Sequence, residues 1–140
     1  MGEFDLLARV RERLPGGGGR IRVGIGDDAA VTEPGGATAT SVDALVEGVH
    51  FSREHATLAQ IGRKALATAL SDLAAMGAEP GEAYLVLFVP PDLSEQDCLD
   101  LLDGAAGLAA SSGVRLAGGD VTRAPRLAVS ATVVGHAQRP

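Results

Sequence analysis

Residues 57–76 read TLAQIGRKALATALSDLAAM, and this stretch decides the fold class. Leu58, Ile61, Leu66, Leu70 and Leu73 recur at helical intervals, Thr57 is placed to cap the first turn, and Gly77 with Pro80 beyond it ends the run. The spacing predicts a long amphipathic helix. C-terminal to it, residues 82–89 form a nearly continuous apolar run closed by Pro90 and Pro91, the pattern of a buried strand. Ser94 opens a second long helix, with Glu95 and Asp97 in its first turn where the helix dipole favours them, running to about Ser112 before Gly113. Residues 114–117 and 126–135 complete the strands on that side.

On the N-terminal side, residues 37–42 alternate as a strand that stops at Asp43. Residues 21–25 read as a strand entering Gly26-Asp27-Asp28, which residues 29–32 continue up to the Pro34-Gly35-Gly36 turn. Phe4, Leu6, Leu7, Val10 and Leu14 mark a short first helix, ended by Pro15 and the glycines 16–19. The resulting order α, β, β, α, β, α, β, β predicts an α+β fold, a mixed or antiparallel sheet with two long helices packed against it.

The 140 residues are enough for one domain with a single core. With 46% hydrophobic and only 3% aromatic residues, that core must be built from Ala, Val and Leu. The formal charge is −6, and no cluster of lysines and aromatics offsets it, so a nucleic-acid partner is not expected. No 18-residue apolar run and no secretory signal is visible, so no membrane partner is expected either. Cys98 is the single cysteine, which excludes an intrachain disulfide and a Cys-rich zinc site and points to a cytoplasmic, reducing location. Cys98 itself reads as a small packed residue.

Four aspartates stand where chemistry is usually placed: Asp28 in the Gly-Asp-Asp turn, Asp43 closing a strand, Asp72 late in the long helix, and Asp120 after Gly118-Gly119. Each has an ordinary structural reading. Asp28 and Asp120 suit turns, Asp43 suits a cap, and Asp72 suits a salt bridge or bonds to backbone amides. Asp72 is the exceptional one, because helical spacing puts it on a stripe with Ile61, Ala65, Ala69 and Met76, where an unpaired carboxylate is expensive. Were the four to converge, two carboxylates about 4 Å apart would repel by roughly 4 kcal/mol at an effective dielectric near 20, and a divalent cation would remove that repulsion. An all-oxygen set favours Mg²⁺ over zinc, and Mg²⁺ commonly links carboxylates to substrate phosphates.

Two nucleotide motifs are excluded. Gly24-Ile25-Gly26-Asp27-Asp28-Ala29 fits a dinucleotide pattern, yet that motif must open a helix, and Pro34 follows within five residues of Ala29. The Walker pattern is absent, and Lys64, the chain's only lysine, lies inside a helix. A nucleotide here is expected to be held through metals and backbone amides.

The segments Gly24-Ile25-Gly26-Asp27-Asp28-Ala29-Ala30-Val31, Ser41-Val42-Asp43 through Gly48-Val49-His50-Phe51, Lys64-Ala65-Leu66-Ala67 through Ser71-Asp72-Leu73-Ala74-Ala75-Met76-Gly77, and Gly118-Gly119-Asp120-Val121-Thr122-Arg123 follow in this order. Over residues 24–123 the chain resembles the N-terminal half of the thiamine-monophosphate kinase family, in the superfamily of aminoimidazole ribonucleotide synthetase, selenophosphate synthetase and a hydrogenase-maturation protein. The resemblance implies an enzyme that moves the γ-phosphoryl group of ATP onto thiamine monophosphate to give thiamine diphosphate, with several Mg²⁺ ions as cofactors. It implies Asp28, Ser41, Asp43, Asp72 and Asp120 as metal ligands, Gly119 and Asp120 as ATP contacts, and His50 as a substrate contact. From the residues alone His50, beside Phe51, reads as a packed or surface histidine. Arg123 matches a family arginine suited to pairing with phosphate or carboxylate.

Two positions depart from the family pattern: Val42 stands where a threonine is usual, and Leu102 replaces an aromatic that resembles an adenine-stacking residue. The family also carries a C-terminal α/β domain, so residues 1–140 are expected to be its single N-terminal ATP- and Mg-binding domain. Such domains pair with a second copy through a shared barrel, with active sites at the interface, and a two-fold homodimer is expected. The alternatives are a non-catalytic dimerisation or nucleotide-binding module, or another phosphate-activating synthetase of the superfamily.

Overall fold

Both long helices begin where their capping residues stand. Thr57 accepts from the Gln60 amide while Gln60 accepts from the Thr57 amide, and Ser94 and Asp97 repeat the same reciprocal arrangement. The computed structural model describes residues 3–14, 17–26, 28–33 and 36–137. The Phe4 side chain, Pro15 and Gly16, Asp27, and Pro34 and Gly35 lie outside the described residues. The elements are α1 (Glu3–Arg13), β1 (Ile21–Val23), β2 (Val31–Thr32), β3 (Ala37–Val46), α2 (Leu58–Ala75), β4 (Glu79–Val89), α3 (Glu95–Ser112), β5 (Arg115–Arg123) and β6 (Ala128–Ala137).

Four strands form a mixed sheet in the order β3-β6-β4-β5, antiparallel except for the parallel pair β4 and β5 that α3 connects. The expected α+β class is the one found. β1 and β2 form a separate antiparallel pair, so residues 29–32 do not prolong the first strand.

Three strands run further than their local sequence signals. β3 passes through Asp43 to Val46, because β6 stays in register with it as far as the Val46 and Ala128 pair. β5 carries Gly118, Gly119 and Asp120 inside the strand, opposite Tyr84, Leu85 and Val86. The ladder with β4 overrides the turn preference of the glycine pair. β4 starts at Glu79 and takes in Pro80, which is tolerated because β4 pairs there with β6 alone and one side of the strand needs no amide donor.

Both long helices lie on one sheet face. Leu66, Ala69 and Leu73 of α2, with Leu99, Leu101 and Ala105 of α3, bury Ala83, Leu85 and Leu87 of β4 and Val129, Ala131 and Val133 of β6. α1 adds Leu6 and Val10 to this core. On the opposite face Tyr84, Val86, Phe88, Ser130 and Thr132 are only half-buried, and Val42 is 66% exposed. That face also holds a buried polar pair, the His136 Nε2 donating to Glu82 Oε1 at 3.1 Å.

The helices share the face because they touch through glycine. A Cβ at Gly62 would overlap the Leu101 carbonyl, and one at Gly104 would overlap that of Ala59, whereas Gly107 faces open space. Ala is the better helix former by about 1 kcal/mol. Gly107→Ala is therefore expected to stabilise the chain slightly in urea unfolding, while Gly62→Ala destabilises it by about 1–3 kcal/mol through forced separation of the helices. Equal effects of the two would contradict the close contact.

Candidate functional site

The period of two along β3 sends Ser41, Asp43 and Leu45 toward α2 and Val42 to the opposite face. Leu45 is buried beneath the helix, and Ser41 and Asp43 are half-buried near its margin. Ser41 Oγ donates to Asp72 Oδ2 at 3.1 Å, so two of the expected ligands are in direct contact. Asp43 Oδ1 accepts the Ala44 amide at 2.9 Å, satisfying a donor on an edge strand. Asp72 is exposed, contrary to the apolar stripe expected around it. The buried arc of α2 continues from Ala65 and Ala69 to Leu73, and Asp72 stands at its margin over the sheet's edge. Met76, expected on the same stripe, is 75% exposed at the helix end.

β3 leads into a turn that carries His50, which is exposed. The Val46 amide donates to His50 Nδ1 at 2.9 Å, the His50 amide donates to the Val46 carbonyl at 2.9 Å, and Lys64 Nζ donates to the His50 carbonyl at 2.8 Å. Arg53 braces the segment by a two-point pair with Glu47, at 2.6 and 3.0 Å, and a third bond to Asp92 at 2.8 Å. Those bonds raise the Arg53 pKa, and the hydrogen bond from Arg53 holds the Asp92 carboxyl below its ordinary value.

At the other edge of the sheet an open cavity of about 620 Å³ lies between α1, the segment around Asp28, and β4 and β5. Asp28, Gly119, Asp120 and Leu102 all line it. Gly119 is required there, since its φ of 153° suits glycine and a Cβ would overlap the Leu85 carbonyl. Asp120 Oδ1 accepts the Val121 amide at 2.9 Å, repeating the arrangement of Asp43. After Ala29 the chain enters β2, not a helix, in keeping with the exclusion of the dinucleotide motif.

The expected site residues thus fall into two groups. Ser41, Asp43, Asp72 and the His50 turn lie at the β3 edge, and Asp28, Gly119 and Asp120 lie at the β5 edge. Asp43, Ala131, Leu85 and Gly119 occupy one row across the sheet, which separates the two edges by three strand spacings, about 14 Å. Among the described residues, no group of three or more His, Cys, Asp or Glu side chains is placed to hold a metal ion.

The chain matches the model of the AIR synthase related protein, N-terminal domain, over residues 26–137. It belongs to that family. It is 37% identical over 142 residues to a thiamine-monophosphate kinase of Bacillus subtilis, covering 99% of this chain and 43% of that protein. The crystal structure of thiamine-monophosphate kinase from Stenotrophomonas maltophilia superposes with a TM-score of 0.75 at 41% identity, over 94% of this chain and 40% of that one. A structure of AaThiL complexed with AMPPCP and TMP shares the fold, with a TM-score of 0.69 at 23% identity over 99% of this chain and 43% of that one. The chain spans less than half the length of these relatives.

In this AIR synthase related domain, two cavity residues escaped the sequence reading. Arg11 and Tyr84 line the same cavity as Asp28 and Asp120. Arg11 falls on one helical face with Leu7 and Leu14, which was a usable signal, whereas the position of Tyr84 depends on the register of β4 with β5. Burial, then the Glu82 charge, raises the Tyr84 pKa. Cys98 is packed in the core, as expected, and burial with the nearby Asp97 and Glu95 pushes its thiol up to about 11, so it remains protonated at neutral pH. No helix among the described residues is long and apolar enough to cross a membrane.

Proposed function

We propose that this chain is the metal- and nucleotide-binding part of a cytoplasmic kinase that transfers the γ-phosphoryl group of ATP to thiamine monophosphate. The observation that carries this reading is the cavity lined by Asp28, Gly119 and Asp120, in a chain 37% identical to a thiamine-monophosphate kinase along nearly its whole length. AaThiL, which shares this fold, is a protein whose structure is complexed with AMPPCP and TMP, and its ligands are of the kind this reading requires.

The donor set suits Mg²⁺. Ser41 Oγ, Asp43, Asp72, Asp28 and Asp120 offer hard oxygens, with no thiolate or imidazole among them. Each edge supplies two carboxylates, within the one or two that Mg²⁺ commonly takes from protein before phosphate oxygens and water complete its shell. When bound, the ions would neutralise charge on the phosphates. The chain's own part is to hold the reactants: the bare Gly119 backbone lets a nucleotide approach β5, Leu102 offers an apolar wall, and His50 meets the phosphate acceptor. Transfer in line between two held phosphates depends on positioning and electrostatics and needs no covalent enzyme intermediate.

We also infer a homodimer. The open sheet face bearing the exposed Val42 and the half-buried Val86 and Phe88 has the apolar character of an interface. Closing two such sheets into one barrel with the two-fold along its axis would set the β5 edge of one copy beside the β3 edge of its partner. The two groups of oxygens would then complete one another.

Phosphorus NMR of the chain with ATP, Mg²⁺ and thiamine monophosphate is expected to show thiamine diphosphate and ADP. Magnesium-dependent binding of AMPPCP without turnover would support the nucleotide-binding module instead, and no such binding would overturn both. Calorimetry should find AMPPCP binding weakened about tenfold or more by Asp43→Asn or Asp120→Asn, with thermal stability little changed. For the dimer, sedimentation equilibrium should show Val42→Lys reducing a pair of chains to monomers, and an unchanged state in that variant would count against this interface.

A further inference from the structure

We propose that Lys64 is the positioning residue for His50, and that the turn between β3 and α2 holds the His50 ring as its Nε2–H tautomer, presenting a hydrogen-bond donor to a phosphate oxygen. This rests on the reading of His50 as a substrate contact. The tautomer follows from the donor. A backbone amide can only donate, so the bond from Val46 at 2.9 Å makes Nδ1 an acceptor, and the proton of the neutral ring lies on Nε2. Nε2 is therefore an N–H, suited to an anionic oxygen and unsuited to a cation or a second donor.

The ring keeps that bond only while the peptide of residue 50 stays in place. Its amide is held by the Val46 carbonyl at 2.9 Å, and its carbonyl by Lys64 Nζ at 2.8 Å. The second bond is the only one of the two that reaches the turn from outside it. It comes from α2, fourteen residues away in sequence, and ties the turn to the helix that also carries Asp72. Gly48, at a φ of 84°, lets the turn close, and its amide donates to the Phe51 carbonyl at 2.9 Å. Through this bond the ammonium of α2 fixes the peptide that carries the ring, which is how it would aim it.

The test uses long-range proton–nitrogen NMR of the His50 imidazole in the 140-residue chain, assigned with His50→Gln. The chain is expected to show a pyridine-type Nδ1 and a pyrrole-type Nε2. Lys64→Met should shift both signals toward a mixture of tautomers, and Lys64→Arg, which keeps a charged N–H donor, should restore most of the original pattern. An Nδ1–H tautomer in the unaltered chain, or an unchanged ring in Lys64→Met, would overturn the proposal. Calorimetric titration with thiamine monophosphate judges the underlying reading separately. Affinity should fall about tenfold in Lys64→Met and recover in Lys64→Arg. Unchanged affinity in His50→Ala would remove His50 from the substrate site while leaving the ring spectra to decide the role of Lys64.

Discussion

The contact on which this architecture depends is the one between α2 and α3 at Gly62 and Gly104. With no side chain between them, the helices approach until backbone meets backbone, and so both fit over one face of four strands. Two consequences reach the candidate site. The opposite face of the sheet carries no helix among the described residues, and the polar groups gather where the covered face ends. At the β3 edge Ser41 and Asp43 emerge beneath the rim of α2, where Ser41 bonds to Asp72, and at the β5 edge Gly119 and Asp120 border a cavity under α1.

The long helices were legible because their signals are local. Thr57 with Gln60 and Ser94 with Asp97 lie within one turn of each other, and the terminal glycines need no distant partner. Strand ends were less legible, because pairing sets them. Nothing near Asp43 says that β6 continues alongside, and Gly118-Gly119-Asp120 has turn composition until β4 is placed next to it. The same difference separates the site residues. Helical spacing put Asp72 on the apolar stripe, but whether that point is covered depends on where the sheet stops. The bond from Lys64 to the His50 carbonyl leaves no trace in the sequence, since it joins a side chain to a backbone atom.

Charge gives the arrangement its chemical direction. The carboxylates of Asp43 and Asp120 each accept the next amide of their own edge strand, which orients them without neutralising them. Arg53 binds Glu47 and Asp92, acids outside the two groups. Asp43 and Asp120 therefore remain available to a hard cation, and the sheet holds them too far apart to share one within a single copy. The proposed cation-bridged nucleotide, held between paired copies of the chain, would reconcile these facts, because it would join edges that one chain keeps separate.

Paramagnetic broadening tests that proposed union directly. Adding Mn²⁺ with AMPPCP to the labelled chain should broaden the amide signals of Ser41, Asp43 and Asp72 together with those of Asp28, Gly119 and Asp120, in one saturable process. Broadening confined to one edge, or spread over acidic residues elsewhere such as Glu12 and Asp103, would contradict a shared cation site.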